Sequence, residues 1–232
     1  VRLITERSRV QISPGPLFHM FLKGERFLCS VSAVVWVLSK SKLSVFLRIA
    51  GLFGVLAPVI SLLFIAVAIA YTPEFNWFTW ALSDLGVHQA ASIFNSGLIV
   101  GGVLTTIFAI GLMQILRKQV LGFLGTFTLI LSTISLCAIG VFPESAGRIH
   151  LYVSISFFAL LAISLLIIGA ALVWESSQRY LGWFSILTVI VAVVAVATVP
   201  HEGAAIPEII AALAASVWSI VFGIKLLWLD LK

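Results

Sequence analysis

Charge is scarce in this chain. Of 232 residues, 14 are Lys or Arg and 9 are Asp or Glu, so 10% carry charge while 61% are hydrophobic. Mean hydropathy is +1.19. A soluble domain keeps roughly 25% charged residues to cover its surface, which this chain cannot supply. Disordered, coiled-coil and collagen-like chains fail on the same composition. Cysteine is scarcer still. Cys29 and Cys137 both sit in apolar runs, so neither a disulfide scaffold nor a thiolate metal motif is available. No G-x-S-x-G, H-E-x-x-H, P-loop or dinucleotide-binding motif occurs. What survives is a membrane protein that crosses the bilayer several times.

Long apolar runs are what the chain does have. About 20 residues of helix, rising ~1.5 Å each, span the ~30 Å hydrocarbon core. Six runs qualify, at about 46–71, 92–116, 119–142, 149–174, 180–199 and 207–229. They are continuously apolar, whereas the strands of a membrane barrel alternate. The expected fold is therefore all-α, a bundle of six transmembrane helices over 46–232. No Asp, Glu, Lys, Arg or His lies near the middle of any run, which argues against a proton-coupled pump and against haem held between helices. The runs carry small residues instead: Gly97, Gly101 and Gly102, then Gly122 and Gly125, then Ala211 to Ser216. Such faces let helices approach closely, within the chain or in a homo-oligomer. Pro58 is expected to kink the first span, and Asn95 to hydrogen-bond to a neighbour.

Residues 1–45 read as a basic cytoplasmic extension. They carry Arg2, Arg7, Arg9, Lys23, Arg26, Lys40 and Lys42 around an apolar stretch at 27–38, too short to span and suited to a helix on the membrane surface. A cleaved signal peptide would end in an A-x-A cleavage site, which is missing after that stretch. The chain begins with Val1, leaving Met20 or a non-Met codon as the expected start.

Orientation follows from the positive-inside rule. Arg117, Lys118, Arg179, Lys225 and Lys232 fall on the same side as the basic extension. Arg148 alone of the 14 basic residues falls opposite. Both termini are expected in the cytoplasm of a multi-pass cell-membrane protein. The pI of about 9.6 is thus a topology signal with an attraction for membrane lipids, and no nucleic-acid partner is implied.

The same threading gathers polar chemistry at the outer face. Glu74, Asp84, Glu144, Glu202 and Glu208 land there with His88, His150 and His201. Thr72-Pro73-Glu74, Phe142-Pro143-Glu144 and Val199-Pro200-His201-Glu202 open the three outer connections alike, as a proline ending a helix with an acid beyond it. In the longest connection, Phe75, Trp77, Phe78 and Trp80 form an interfacial aromatic cluster, expected as a short helix over 75–82. Ser83 or Asp84 would cap a helix end there, and Gly86 is free to take a positive φ. On a helix, Asp84 and His88 would share a face. Arg148 beside Glu144 suits an ion pair or an anionic headgroup. Pro207 and Glu208 suit the first turn of the last span.

Two chemistries fit these groups. Ser83, Asp84, His88, Asn95, Glu144, Arg148, His150, His201 and Glu202 can line a polar pocket for a lipid headgroup or small polar ligand. Alternatively, His88, His150 and His201 with a water make a catalytic zinc shell for lipid hydrolysis. Hydrolases of that kind pair their histidines as H-x-x-x-H on one helix, a pattern missing here. A transporter of neutral small molecules is the third reading, and binding without catalysis is the favoured one.

Ser83-Asp84-Leu85-Gly86, Phe94-Asn95-Ser96-Gly97-Leu98-Ile99, and Gly140-Val141-Phe142-Pro143 with His150 and Phe157-Phe158 together resemble the DUF998 family of archaeal and bacterial membrane proteins, over about 48–228. The resemblance implies six spans and a distant relation to eukaryotic Frag1/DRAM/Sfk1-type proteins linked to membrane homeostasis. It points to Ser83, Asp84, Asn95, Pro143 and His150 as family-pattern positions, and it implies no reaction.

Overall fold

A computed structural model describes residues 16–175 and 178–229, with side chains from Lys42 onward. The chain divides into two compact units, Val1–Leu43 and Ser44–Lys232. The helices are α1 (Pro16–Ala70), α2 (Ala91–Leu116), α3 (Val120–Val141), α4 (Arg148–Trp174), α5 (Arg179–Thr198) and α6 (Ala205–Leu227). Two 3-10 turns, Leu82–Gly86 and Glu144–Ala146, lie in the connections.

Among the described residues, six segments are long and apolar enough to cross a membrane: Lys42–Ala70, Ala91–Leu116, Val120–Val141, Arg148–Trp174, Arg179–Thr198 and Ala205–Leu227. The fold is all-α and multi-pass, with spans within a few residues of those expected. The 27–38 stretch is not a short helix of its own but part of α1. No proline separates Pro16 from Pro58, so nothing in that sequence ends a helix. Residues 1–15 of the basic extension lie outside the described residues.

The second unit is packed inside out compared with a soluble domain. Thr126, Ser132, Ser164 and Ser185 are fully buried while Leu63, Trp183, Leu187 and Val191 are exposed. Apolar surface costs nothing in lipid, so helix association rests on close contact and hydrogen bonds. Buried hydroxyls therefore find carbonyls on their own helix, as Thr126 finds that of Gly122 at 2.8 Å and Ser185 that of Leu181 at 2.9 Å, or on the next one, as Ser132 finds that of Phe157 at 3.0 Å. Among the described residues, no buried side-chain nitrogen or oxygen lacks a partner.

Small residues set the order of the helices. Gly97 of α2 lies so close to α1 that a Cβ there would stand 2.4 Å from that of Phe64, and one on Gly101 would strike Ser61. Gly102 meets Cys137 of α3, and Gly125 meets Ile168 of α4. Gly169 of α4 abuts Ser185 of α5. The Trp218 indole of α6 then donates to the Ser185 hydroxyl at 2.8 Å. The small faces of α2 and α3 are thus used within the chain.

Closure of α6 onto α1 comes from a vacancy left by proline. Pro58 has no N–H, so the Gly54 carbonyl four residues earlier loses its helical donor. An unmet carbonyl is unfavourable in hydrocarbon. The Ser219 hydroxyl supplies the missing donor at 2.8 Å. Around this junction Phe108, Trp218 and Phe222 pack with Ala50, Leu112 and Leu226 into the larger core, with the Trp218 and Phe222 rings stacked 4.3 Å apart. A second core gathers Ile65, Ala68, Leu82, Leu85 and Phe94 under the α1–α2 connection.

Candidate functional site

The connections from α1 to α2, α3 to α4 and α5 to α6 share one end of the bundle, and the α1–α2 connection organises it. Thr72 is buried and donates to the Ala68 carbonyl at 3.0 Å, finishing α1 before Pro73. The expected helix over 75–82 does not form. Asn76 competes with it through its side-chain oxygen, which accepts the Phe78 N–H at 2.9 Å, and the helical pattern is limited to one bond, from the Trp80 N–H to the Asn76 carbonyl at 3.0 Å. That is a local turn built by an Asn side chain, the usual rival of a helix. The aromatic cluster does form: Phe75 meets Trp77 and Trp80 edge-on, and Trp80 lies 4.6 Å from the His88 ring.

The Leu82–Gly86 turn is pinned from four sides. Leu82 and Leu85 are buried beneath it. One Asp84 carboxylate oxygen accepts the Ala81 N–H at 2.8 Å. Glu208, at the start of α6, accepts the Leu82 N–H at 2.6 Å. Asn95 of α2 donates to the Gly86 carbonyl at 2.9 Å. Gly86 does not take the positive φ expected of it; among the described residues only Gly147 does, at 62°. Glycine is required at 86 for a different reason, since a Cβ would stand 2.6 Å from the Asn95 side-chain oxygen.

The α5–α6 connection is sewn to the same loop by backbone. The N–H groups of Glu202 and Gly203 donate to the Phe78 carbonyl, and that of Ala205 to the Trp80 carbonyl. A Cβ at Gly203 would sit 2.4 Å from the Trp80 oxygen. The third connection brings Glu144 beside Asp84, where the two carboxyls can share one proton. That shared proton, with partial burial and the charges of Asp84 and Glu208, raises the Glu144 carboxyl from its ordinary 4.5 to about 7, against a smaller opposing pull from His88. Three carboxyls thus converge, Asp84 and Glu144 from two connections and Glu208 from the first turn of α6. Arg148 is not among the groups acting on Glu144; it is exposed at the start of α4, so the expected ion pair does not form.

The histidines do not converge. His88 Nδ1 donates to the Asp84 carbonyl at 2.7 Å, so it meets the Asp84 backbone and not its carboxylate. His150, buried, donates to the Phe142 carbonyl at 2.8 Å, with its other nitrogen 3.4 Å from Ser154. His201 donates to the Val199 carbonyl at 2.8 Å. Each imidazole closes its own connection. Among the described residues no group of three His, Cys, Asp or Glu side chains could hold a metal. Glu202 is exposed and contributes its backbone only.

Below this acidic end the bundle encloses a cavity of about 150 Å³. Its wall comes from α1, α2, α3, α4 and α6, with Leu82 and Ser83 of the turn, and is mostly apolar: Leu62, Phe94, Leu129, Phe157, Phe158 and Trp218. Pro58 and Ser219 line it too, so the α1–α6 junction forms part of the wall. Glu208 is the one ionisable side chain in that wall. Of the residues singled out from sequence, Ser83 lines the cavity while Asp84, Glu144, His88 and Asn95 surround the turn above it. Arg148, His201 and Glu202 lie apart from the wall.

Glu208 is what sequence reasoning missed as a site residue. An acid in the first turn of a helix has a sufficient local explanation in the positive helix terminus. The usable signal was its place in a run otherwise uncharged from Ile206 to Ile224, where a carboxylate needs more than a dipole.

No curated protein and no solved structure matches this chain. The DUF998 family model, of proteins of unknown function, matches residues 55–225. That match covers most of the chain, reaches into all six spans and includes the turn, Asn95 and the cavity wall, so the chain belongs to the DUF998 family.

Proposed function

We propose that the protein binds a membrane lipid through its head group, in the cavity that the Leu82–Gly86 turn closes. The supporting observation is a mostly apolar wall that carries the Glu208 carboxyl and several hydroxyls, Ser83 and Ser61 among them. A pocket of that kind is a normal ligand site, mostly apolar with few polar groups that fix orientation. Its wall holds no cation, so the head it suits donates hydrogen bonds and carries no net negative charge, an amine or a hydroxyl. An anionic head bound by Arg148 loses support because Arg148 stands outside the wall. Zinc hydrolysis has no comparable support, since its three histidines close separate connections.

By the positive-inside rule the acidic end is the outer face of the cell membrane. Labelling from outside intact cells should reach a cysteine at Glu202 and not one at Arg117; the reverse pattern would refute that orientation.

The binding reading is tested with full-length protein in phosphatidylcholine nanodiscs and three probes of one chain length: dodecylamine, dodecanol and dodecanoate. The amine and the alcohol should bind and the acid should not. Glu208→Gln, which keeps an oxygen for the Leu82 N–H, should weaken the amine about tenfold, as expected for a lost charge-assisted hydrogen bond, and spare the alcohol. Equal binding of dodecanoate and dodecylamine would defeat the reading.

A further inference from the structure

The cavity under the turn is too small for a lipid. At about 150 Å³ it matches an engineered apolar cavity that holds one benzene-sized molecule. A head group and the first carbons would fill it. The rest of the chain needs another place.

A second, larger hollow adjoins it. Residues of α4, α5 and α6 enclose about 350 Å³, and Phe158, Leu161 and Ala215 belong to both walls. Its lining is hydrocarbon throughout apart from Thr188, whose hydroxyl is turned to the Phe184 carbonyl at 2.8 Å. It therefore offers no polar group to a ligand.

The sequence of α5 explains why the hollow exists. Its buried residues are Leu181, Gly182 and Ser185, all within the first two turns. There Gly182 and Ser185 hold α4 and Trp218 close. From Thr188 to Thr198 the helix carries only Val, Ile, Ala and its two terminal Thr, and none is buried. Opposite stand Ala211, Ala214 and Ala215. Small side chains face small side chains across a gap that neither helix fills. The far end of α5 continues into a connection fastened to the Phe78 carbonyl, which holds the gap open.

We propose that this α4–α5–α6 hollow is a hydrocarbon-chain subsite, occupied by the acyl or alkyl chain of the same lipid whose head lies beside Glu208. The inference rests on the head-group reading above. The chain passes the shared wall at Phe158, Leu161 and Ala215, and lies along the unburied half of α5. The half-packed helix gives the chain a way in from the bilayer, without passage through the acidic end.

The test uses the full-length protein in phosphatidylcholine nanodiscs. A dodecylamine carrying a diazirine at the chain tip should label α5 over 192–197 and α6 over 211–215. Labelling confined to α1, α2 and α3 would overturn the subsite. Ala192→Phe with Ala214→Phe should lower dodecylamine affinity about tenfold, the worth of roughly two methylenes withdrawn from apolar surroundings. Butylamine, which reaches only the head cavity, should bind the variant as it binds the parent by ligand-observed NMR. Unchanged dodecylamine affinity with butylamine still bound overturns the chain subsite alone. Failure of both amines to bind the parent overturns the head-group reading and the subsite with it.

Discussion

The two ends of the bundle are built to opposite rules. Toward the basic end, around Phe108, Trp218 and Phe222, aromatic rings stack and helices touch at glycine: a Cβ on Gly223 would lie 2.8 Å from the Gly51 carbonyl oxygen. Toward the acidic end α1, α2 and α3 still touch at glycine, at Gly97 and Gly140, but α5 carries no buried residue beyond Ser185 and two hollows open. What differs is the pairing of sizes. Large against small, as with Phe64 over Gly97, closes a bilayer bundle, and small against small, as along the second half of α5, leaves it open. Rigidity and vacancy are thereby segregated in one fold.

Substitutions can break that contrast. The largest loss should come from Trp218→Ala, about 3 kcal/mol, at the low end of the aqueous range for Trp→Ala because the unfolded helices keep apolar surroundings. Thermal unfolding in detergent measures it, and a loss below that of an exposed Leu would deny that this half carries the stability. Gly223→Ala comes next at about 1–3 kcal/mol, the usual penalty of overpacking, since backbone atoms of α1 stand in the way of the new methyl. The same measurement on Ala192→Leu, which adds bulk at the open end, should stay within about 0.5 kcal/mol of the parent.

A smaller effect sharpens the role of Pro58. Ser219→Ala should cost about 1 kcal/mol, typical of an interhelical hydrogen bond in a membrane, by leaving the Gly54 carbonyl unmet. In a Pro58→Ala background the same change should cost less, because residue 58 then supplies its own N–H. A double-mutant cycle reads the coupling; zero coupling would mean that Ser219 serves packing only.

The smallest effect belongs to the acidic end. Glu144 rises from 4.5 to about 7 in the folded protein, chiefly through the proton it shares with Asp84. A carboxyl raised on folding lends stability that is complete below its unfolded value and is lost as pH climbs through the folded one. The parent should therefore lose a little thermal stability between about pH 4.5 and 7. Glu144→Gln, unable to ionise, should flatten that dependence and match or exceed the parent above pH 7. An equal slope in both proteins would assign the titration elsewhere.

The spans were legible in the sequence because a bilayer imposes one demand, about twenty apolar residues in a row, that needs no knowledge of neighbours. Their boundaries followed for the same reason. The site was less legible because its residues answer to partners far along the chain. Glu208 looked complete as a helix-start acid until its carboxylate met Leu82, 126 residues away. Gly86 suggested backbone freedom, whereas the Asn95 side chain was the true constraint. Three histidines gathered by topology at one end suggested convergence, yet each found a carbonyl within its own connection first. Hydrogen-bond geometry over 2 to 8 residues outcompeted assembly across loops.

The bond from Ser219 to the Gly54 carbonyl also dates the folding of the molecule. Its partners are 165 residues apart, one in the first span and the other in the last. During synthesis the first span enters the bilayer with that carbonyl bare and must wait for five further helices before it is answered. Until then the proline marks a soft spot open to water or a neighbouring chain. When α6 arrives, one hydroxyl heals the first helix and shuts the bundle in the same step, so a chain truncated before residue 219 would be left inserted but unsealed.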